Sequence, residues 1–242
     1  MTVSANIAMG HFFFRFRDVL FPAIFALGLL VFRPRIIGSP SMDHALQIFG
    51  AVIALAGQLV RAITIGFEYI ERGGKNKRVY ASHLVCRGVY GITRNPMYIG
   101  NVLIAIGMTM FAGSPAMYLI ALPFFLFVYQ SITFTEEEYL RAKFGPKYDQ
   151  YCADVPRFMP TFARISTAFA GMRYDWKSLR KELSTMYALA LGILWLPAWR
   201  LVFLQGRDPF VSQLPRLTIW TLLATLIYGG LIFLKRRRVF FY

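Results

Sequence analysis

Six long apolar runs constrain this chain most: Val19 to Phe32, Ala45 to Phe67, Met97 to Ala112, Ala116 to Phe134, Leu183 to Phe203 and Leu214 to Leu234. A helix needs about 20 apolar residues to cross a hydrocarbon core of about 30 Å; several of the runs reach that length, while the first and third need their flanks. With 57% hydrophobic residues against 16% charged, the chain is too apolar for an ordinary soluble domain. Backbone groups in lipid must be bonded internally, and the sequence lacks the alternating pattern of a membrane barrel, so the spans are expected to be helices. The fold class that follows is all-α, a polytopic membrane helical bundle of six spans, or five. Three regions are expected: N-terminal membrane helices over 1–79, a core over 80–160, and a connector with C-terminal membrane helices over 161–242.

Under six spans, 21 of the 27 lysines and arginines fall on one face, in the segment before the first span, the loops Arg72 to Arg94 and Arg141 to Lys181, and the end Lys235 to Arg238. Five fall on the other face, and Arg61 lies inside the second span. Positive charge accumulates on the cytoplasmic side, which places both termini and the two long basic loops there in a multi-pass membrane protein. Arg15 and Arg17 precede an apolar run as in a signal peptide, but no small-residue cleavage site clearly follows, so a retained first helix is expected. The net charge of +15 is then a topology signal with attraction to anionic lipid headgroups, and nucleic-acid binding is disfavoured. Cys86 and Cys152 fall in loops expected to face the cytoplasm, and no metal-ligand spacing joins them to the histidines.

Gly113-Ser114-Pro115 breaks the apolar stretch Met97 to Phe134 into a tight antiparallel hairpin whose feet return to the cytoplasmic face. Pro96 fits the first turn of the first arm and Asn95 fits its N-cap, where free amides could receive an anionic group. Glu136, Glu137 and Glu138 stand where the second arm leaves the lipid. Successive helical residues point about 100° apart, so one or two of these carboxylates face inward and need a cation, Arg94 or a ligand. Arg61, with Gln58, either snorkels to the interface or faces the cavity. Glu71 to Lys77 reads as a polar loop and Ala163 to Lys181 as a polar connector. Phe144, Tyr148 and Tyr151 lie on a short amphipathic segment expected to cross the cytoplasmic mouth. Arg157 suits a cofactor carboxylate or a lipid phosphate, and Lys235 to Arg238 suits an orientation anchor.

The ordered blocks Leu84-Val85-x-x-Gly88-Val89-Tyr90, Arg94-Asn95-Pro96-Met97-Tyr98-x-Gly100, the glutamate run, and Phe144-Gly145-x-x-Tyr148-x-x-Tyr151-x-x-x-Val155-Pro156 resemble the integral-membrane methyltransferases that include isoprenylcysteine carboxyl methyltransferases and phospholipid N-methyltransferases. The resemblance implies a cytoplasmic pocket for S-adenosyl-L-methionine. By the same resemblance, Leu84 and Val85 would line the cofactor, Tyr90 would pack on it, Asn95, Pro96, Met97 and Tyr98 would cradle it, and Glu136 or Glu137 would face its ammonium or ribose end. His83 stands one residue from the position where some members carry a histidine. Many carboxyl-methylating members have Arg-His-Pro where this chain has Arg94-Asn95-Pro96, and an arginine before the glutamates where it has Gln130-Ser131-Ile132-Thr133.

A phospholipid or lipid amine headgroup is therefore the expected methyl acceptor, with Glu137 first and Glu136 second as the group that takes the amine proton, and Arg94 beside them. The alternatives are an isoprenoid-linked carboxylate, a small apolar thiol or, outside catalysis, a membrane carrier or scaffold.

Overall fold

The computed structural model describes residues 3–68 and 78–237, with side chains from residue 8 to residue 234. The loop Glu71 to Lys77 and the side chains of Lys235 to Arg238 lie outside the described residues. The helices are α1 (Val3–Val31), α2 (Pro40–Phe67), α3 (Pro96–Ala112), α4 (Leu122–Phe144), α5 (Pro146–Asp154), the single turns α6 (Ile165–Ala168) and α7 (Trp176–Leu179), α8 (Leu183–Leu204) and α9 (Arg207–Arg237). A π turn, Met117–Ala121, leads into α4. Among the described residues, four helical stretches are long and apolar enough to cross a membrane: Pro40–Phe67, Met117–Phe144, Leu183–Leu204 and Arg207–Leu234. At 17 residues, α3 extends about 25 Å.

Two expectations change. Arg15 and Arg17 do not precede the first helix: α1 starts at Val3, and its phenylalanine-rich first half packs on α4 through Phe13 against Phe124 and Phe127. The hairpin is also less tight than its three-residue turn suggested. Gly113, left-handed at φ +64°, stops α3 and donates its amide to Thr109 and Met110. Beyond the turn, however, α3 packs chiefly along α2 and α4 chiefly along α1. Near the end that carries the glutamates, Tyr98 on α3 and Tyr129, Glu136 and Glu137 on α4 line a common cavity.

The α2–α3 pairing is set by glycines. A Cβ on Gly50 would stand 2.7 Å from the Gly107 carbonyl oxygen, and one on Gly57 would stand 2.6 Å from that of Gly100. Two small-residue contacts seven residues apart on each helix let the backbones touch, as lipid-embedded helices do when dispersion replaces the hydrophobic effect as the driving force. Gly57→Leu must move backbone and is expected to cost about 3 kcal/mol, read as a lower melting temperature in detergent. Gly229→Leu on α9 is the control, since its Cβ would meet nothing within 4 Å.

Helix α8 is tied to α2 at both ends by buried ion pairs. Glu182 at its N-cap, fully buried, accepts from Arg61 at 2.8 Å and from Gln58 at 3.3 Å. Arg200 near its other end meets Asp43 at 2.5 Å and donates to the Ala112 carbonyl at 2.8 Å. Asp43 and Arg61 are eighteen residues apart on α2, and Glu182 and Arg200 eighteen apart along α8. Eighteen residues make five helical turns, so both charges of each helix share one face about 27 Å apart. Helix α9 packs on α8 through the stacked rings of Tyr187 and Tyr228 and through bonds from Tyr187 to Thr225 and from Trp195 to Thr221.

Candidate active site

The site begins in the loop before α3. Gly88, at φ +60°, starts a 3-10 turn over Gly88–Gly91 that buries Val89 and Tyr90. Residues 92–95 then lie beside 156–161: Arg94 donates its amide to the Pro156 carbonyl at 2.9 Å, Thr161 to that of Ile92 at 2.9 Å, and the Thr93 hydroxyl reaches the Phe158 carbonyl at 3.1 Å. Asn95 does not cap α3 with its side chain. Its backbone angles are φ −127° and ψ 51°, and Nδ2 instead donates to the Arg157 carbonyl at 3.1 Å. Pro96 occupies the first helical position as expected.

Of the three glutamates, two turn inward and one outward, as the helical spacing requires. Glu137, 4% exposed, takes a fork from Arg157 (Nε to Oε1 3.0 Å, and a second bond to Oε2) and a third contact, at 3.4 Å, from Arg94. Arg157 thus pairs with Glu137, a protein carboxylate that the sequence reading did not name for it. Glu136 accepts the Tyr98 hydroxyl at 2.6 Å, while Arg17 from α1 donates to Tyr98 at 3.1 Å and stands 3.8 Å from Glu136. Glu138 faces outward and pairs with Arg141 at 3.1 Å.

One cavity of about 560 Å³ joins these groups. His83, Leu84, Val85, Tyr90, Arg94, Asn95, Met97, Tyr98, Glu136 and Glu137 all line it. Pro96 is fully buried and does not. His83 lies in an exposed stretch and shares a bond with Ser82. Tyr148 and Tyr151 on α5 also line the cavity, and the Tyr151 hydroxyl donates to the Tyr90 carbonyl at 2.7 Å. Burial pushes both phenols well above their ordinary range, which leaves them neutral hydroxyls. Arg94 carries a buried Nε with no hydrogen-bond acceptor among the described residues, so the wall has a donor to offer a ligand.

Among the remaining lining residues, Arg61 takes the cavity-facing one of its two expected placements, and several others are ones the sequence reading missed or used otherwise. Arg61 turns inward, 7% exposed, and bonds Asn101 on α3 and Thr185 on α8 beside its pair with Glu182. Arg17, counted only as a topological charge, reaches Tyr98. Phe14, Phe21 and Tyr129 supply aromatic surface, with Phe21 stacked on Tyr129 at 4.4 Å. A charge inside a span demands a partner, and that was the available signal for Arg61.

With this geometry in place, the comparisons with known proteins can be read residue by residue. A family model described as phospholipid methyltransferase matches residues 45–147, which run from the start of α2 into α5. Over that segment the chain is similar to the phospholipid methyltransferase family. A protein-S-isoprenylcysteine O-methyltransferase of Schizosaccharomyces pombe is 38% identical over 96 residues. That alignment covers 39% of this chain, which spans the same 39% of the relative. No solved structure matches. The family segment holds most of the cavity, whereas Phe14, Arg17 and Asp18 from α1 and Thr185 from α8 lie outside it.

Proposed function

We propose that this multi-pass membrane protein transfers a methyl group from S-adenosyl-L-methionine to a lipophilic acceptor, best matched by a lipid amine headgroup. The observation that carries the reading is that Asn95 and Glu137, forty-two residues apart, open onto one cavity. Its volume of about 560 Å³ falls in the range of cofactor sites, roughly 300–1,000 Å³. The unpartnered Arg94 Nε suits the cofactor's carboxylate, the glutamates suit its cationic end, and Leu84, Val85, Met97 and Tyr90 suit its flat apolar portion. The charge bias supports a cytoplasmic cavity with both termini on that side, where anionic lipid headgroups would meet the basic loops.

The cofactor supplies a sulfonium methyl that passes in line to a nucleophile while the C–S electron pair stays on sulfur. Little else is asked of the protein beyond alignment in a dry pocket. An amine acceptor arrives protonated and must first release that proton. Both Glu137 oxygens are held by arginines, so this carboxylate serves to fix Arg94 and Arg157. The contacts described for Glu136 engage Oε1, and it is the better-placed proton acceptor, with Tyr98 as its bonded neighbour.

A second reading, carboxyl O-methylation of an isoprenylcysteine, is favoured by the identity with the yeast relative. The structure adds two cations to that cavity, Arg17 and Arg61, but each already faces a carboxylate of the protein.

Calorimetry on purified protein tests the cofactor: binding of S-adenosylmethionine or its demethylated product is expected at micromolar concentration, and no heat well above it would remove the claim. Incubation with methyl-labelled cofactor and a total lipid extract, with mass analysis of what gains label, separates the two acceptors.

A further inference from the structure

Helix α1 carries a carboxylate, Asp18, directly before the apolar run that begins at Val19. Gly10 lies against Ser131 and Thr135, beside the glutamates, without space for a Cβ. Eight further residues of helix bring Asp18 about 12 Å deeper. At that depth Phe21 packs on Phe125 and Tyr129. Asp18 nevertheless lines the cavity with a side chain 96% exposed, so the cavity opens sideways there. The helices agree: α1 packs along α4 and makes no extended contact with α2 or α8 among the described residues.

An ionisable group at such a depth is costly, and it marks a functional site whose partner should be identifiable. The ion pair described for Asp18 is a 3.9 Å approach to Arg17 Nε. Arg17 itself lies over the Phe14 ring at 4.2 Å and directs its contacts to Tyr98 and Glu136. The acids nearer the mouth are held more closely, Glu136 by Tyr98 and Glu137 by two arginines. Around Asp18 the wall is aromatic: Phe14, Phe21 and Tyr129. A carboxylate among aromatic faces is the chemistry that recognises an ammonium group, because ring faces attract cations most strongly once water is excluded.

We infer that Asp18, beside the aromatic wall of Phe14, Phe21 and Tyr129, receives the ammonium group of a lipid acceptor that enters the cavity on the side where Asp18 is exposed. The inference rests on the methyl-transfer reading and makes Asp18 a residue that selects amine over carboxylate acceptors.

Native mass spectrometry of the purified protein with equal amounts of phosphatidylethanolamine and phosphatidylglycerol of matched chains reads the preference without turnover. Wild type is expected to retain phosphatidylethanolamine by about tenfold, the size of one desolvated cation contact. Asp18→Asn should bring the two lipids to near parity, and Asp18→Glu should keep the preference. Calorimetric affinity for S-adenosylmethionine should be the same in all three proteins. A preference that survives Asp18→Asn, or wild type that favours neither lipid, overturns the subsite. Wild type that prefers phosphatidylethanolamine but binds no S-adenosylmethionine overturns the methyl-transfer reading instead.

Discussion

Glu182→Ala is expected to destabilise the protein by about 3–5 kcal/mol, because it strands the Arg61 guanidinium inside a membrane bundle. Glu182 is wholly buried and the Arg61 side chain 9% exposed, so water cannot take over the lost contacts. Gln58 would lose an acceptor as well. Replacing both partners with apolar residues, Arg61→Met with Glu182→Leu, removes the two desolvation costs together and should recover most of the loss. Thermal unfolding in detergent across the four proteins of that cycle checks the pairing, and strictly additive losses would show that Arg61 and Glu182 act independently. The apolar pair should still disturb the cavity, since Arg61 also bonds Asn101 and Thr185 on its wall.

Glu137→Gln is expected to weaken S-adenosylmethionine binding by about tenfold or more. An amide carries no charge to balance Arg94 and Arg157, and its one carbonyl cannot accept the Arg157 fork. Released, Arg157 no longer braces the segment whose carbonyls hold Thr93 and Asn95, so the start of α3 loses its support. Arg157→Lys should give a milder form of the same defect, because lysine cannot make the paired contact. Titration calorimetry on both variants decides the matter; wild-type affinity in Glu137→Gln would leave the carboxylate with a packing role alone. Glu138→Gln, on the outward face, should bind the cofactor as the native protein does.

The all-helical class was readable because a bilayer forces every backbone group into helix, whereas hydropathy gave six spans, or five, and four helical stretches among the described residues are long and apolar enough to cross. Helical spacing limited the inward carboxylates to one or two of the three without saying which, and the amphipathic pattern after them marked the segment from which Tyr148 and Tyr151 line the cavity. Asn95 misled because an asparagine before Pro96 satisfies the local rule for a cap, while the chain that bonds it arrives sixty-two residues later. Arg17 misled because a basic residue before an apolar run looks like a flank, and only the packing of α1 on α4 shows that the helix began earlier. The two buried ion pairs were written in the sequence as equal eighteen-residue intervals, each running from an acid to an arginine. Reading them required knowing that α2 and α8 run antiparallel side by side, which no local pattern states.

Those matched intervals act as a vernier. Sliding α8 by one turn along α2 moves it about 5.4 Å and breaks the pairs at both membrane faces together, and turning it by one residue swings both charges about 100° away. Only a single seating satisfies them. A nascent chain that has inserted α2 but not yet α8 carries an unmatched aspartate near one leaflet and an unmatched arginine near the other, and this mismatch is relieved only when the late helices settle in the one correct alignment. Assembly of this protein therefore proofreads its own last step.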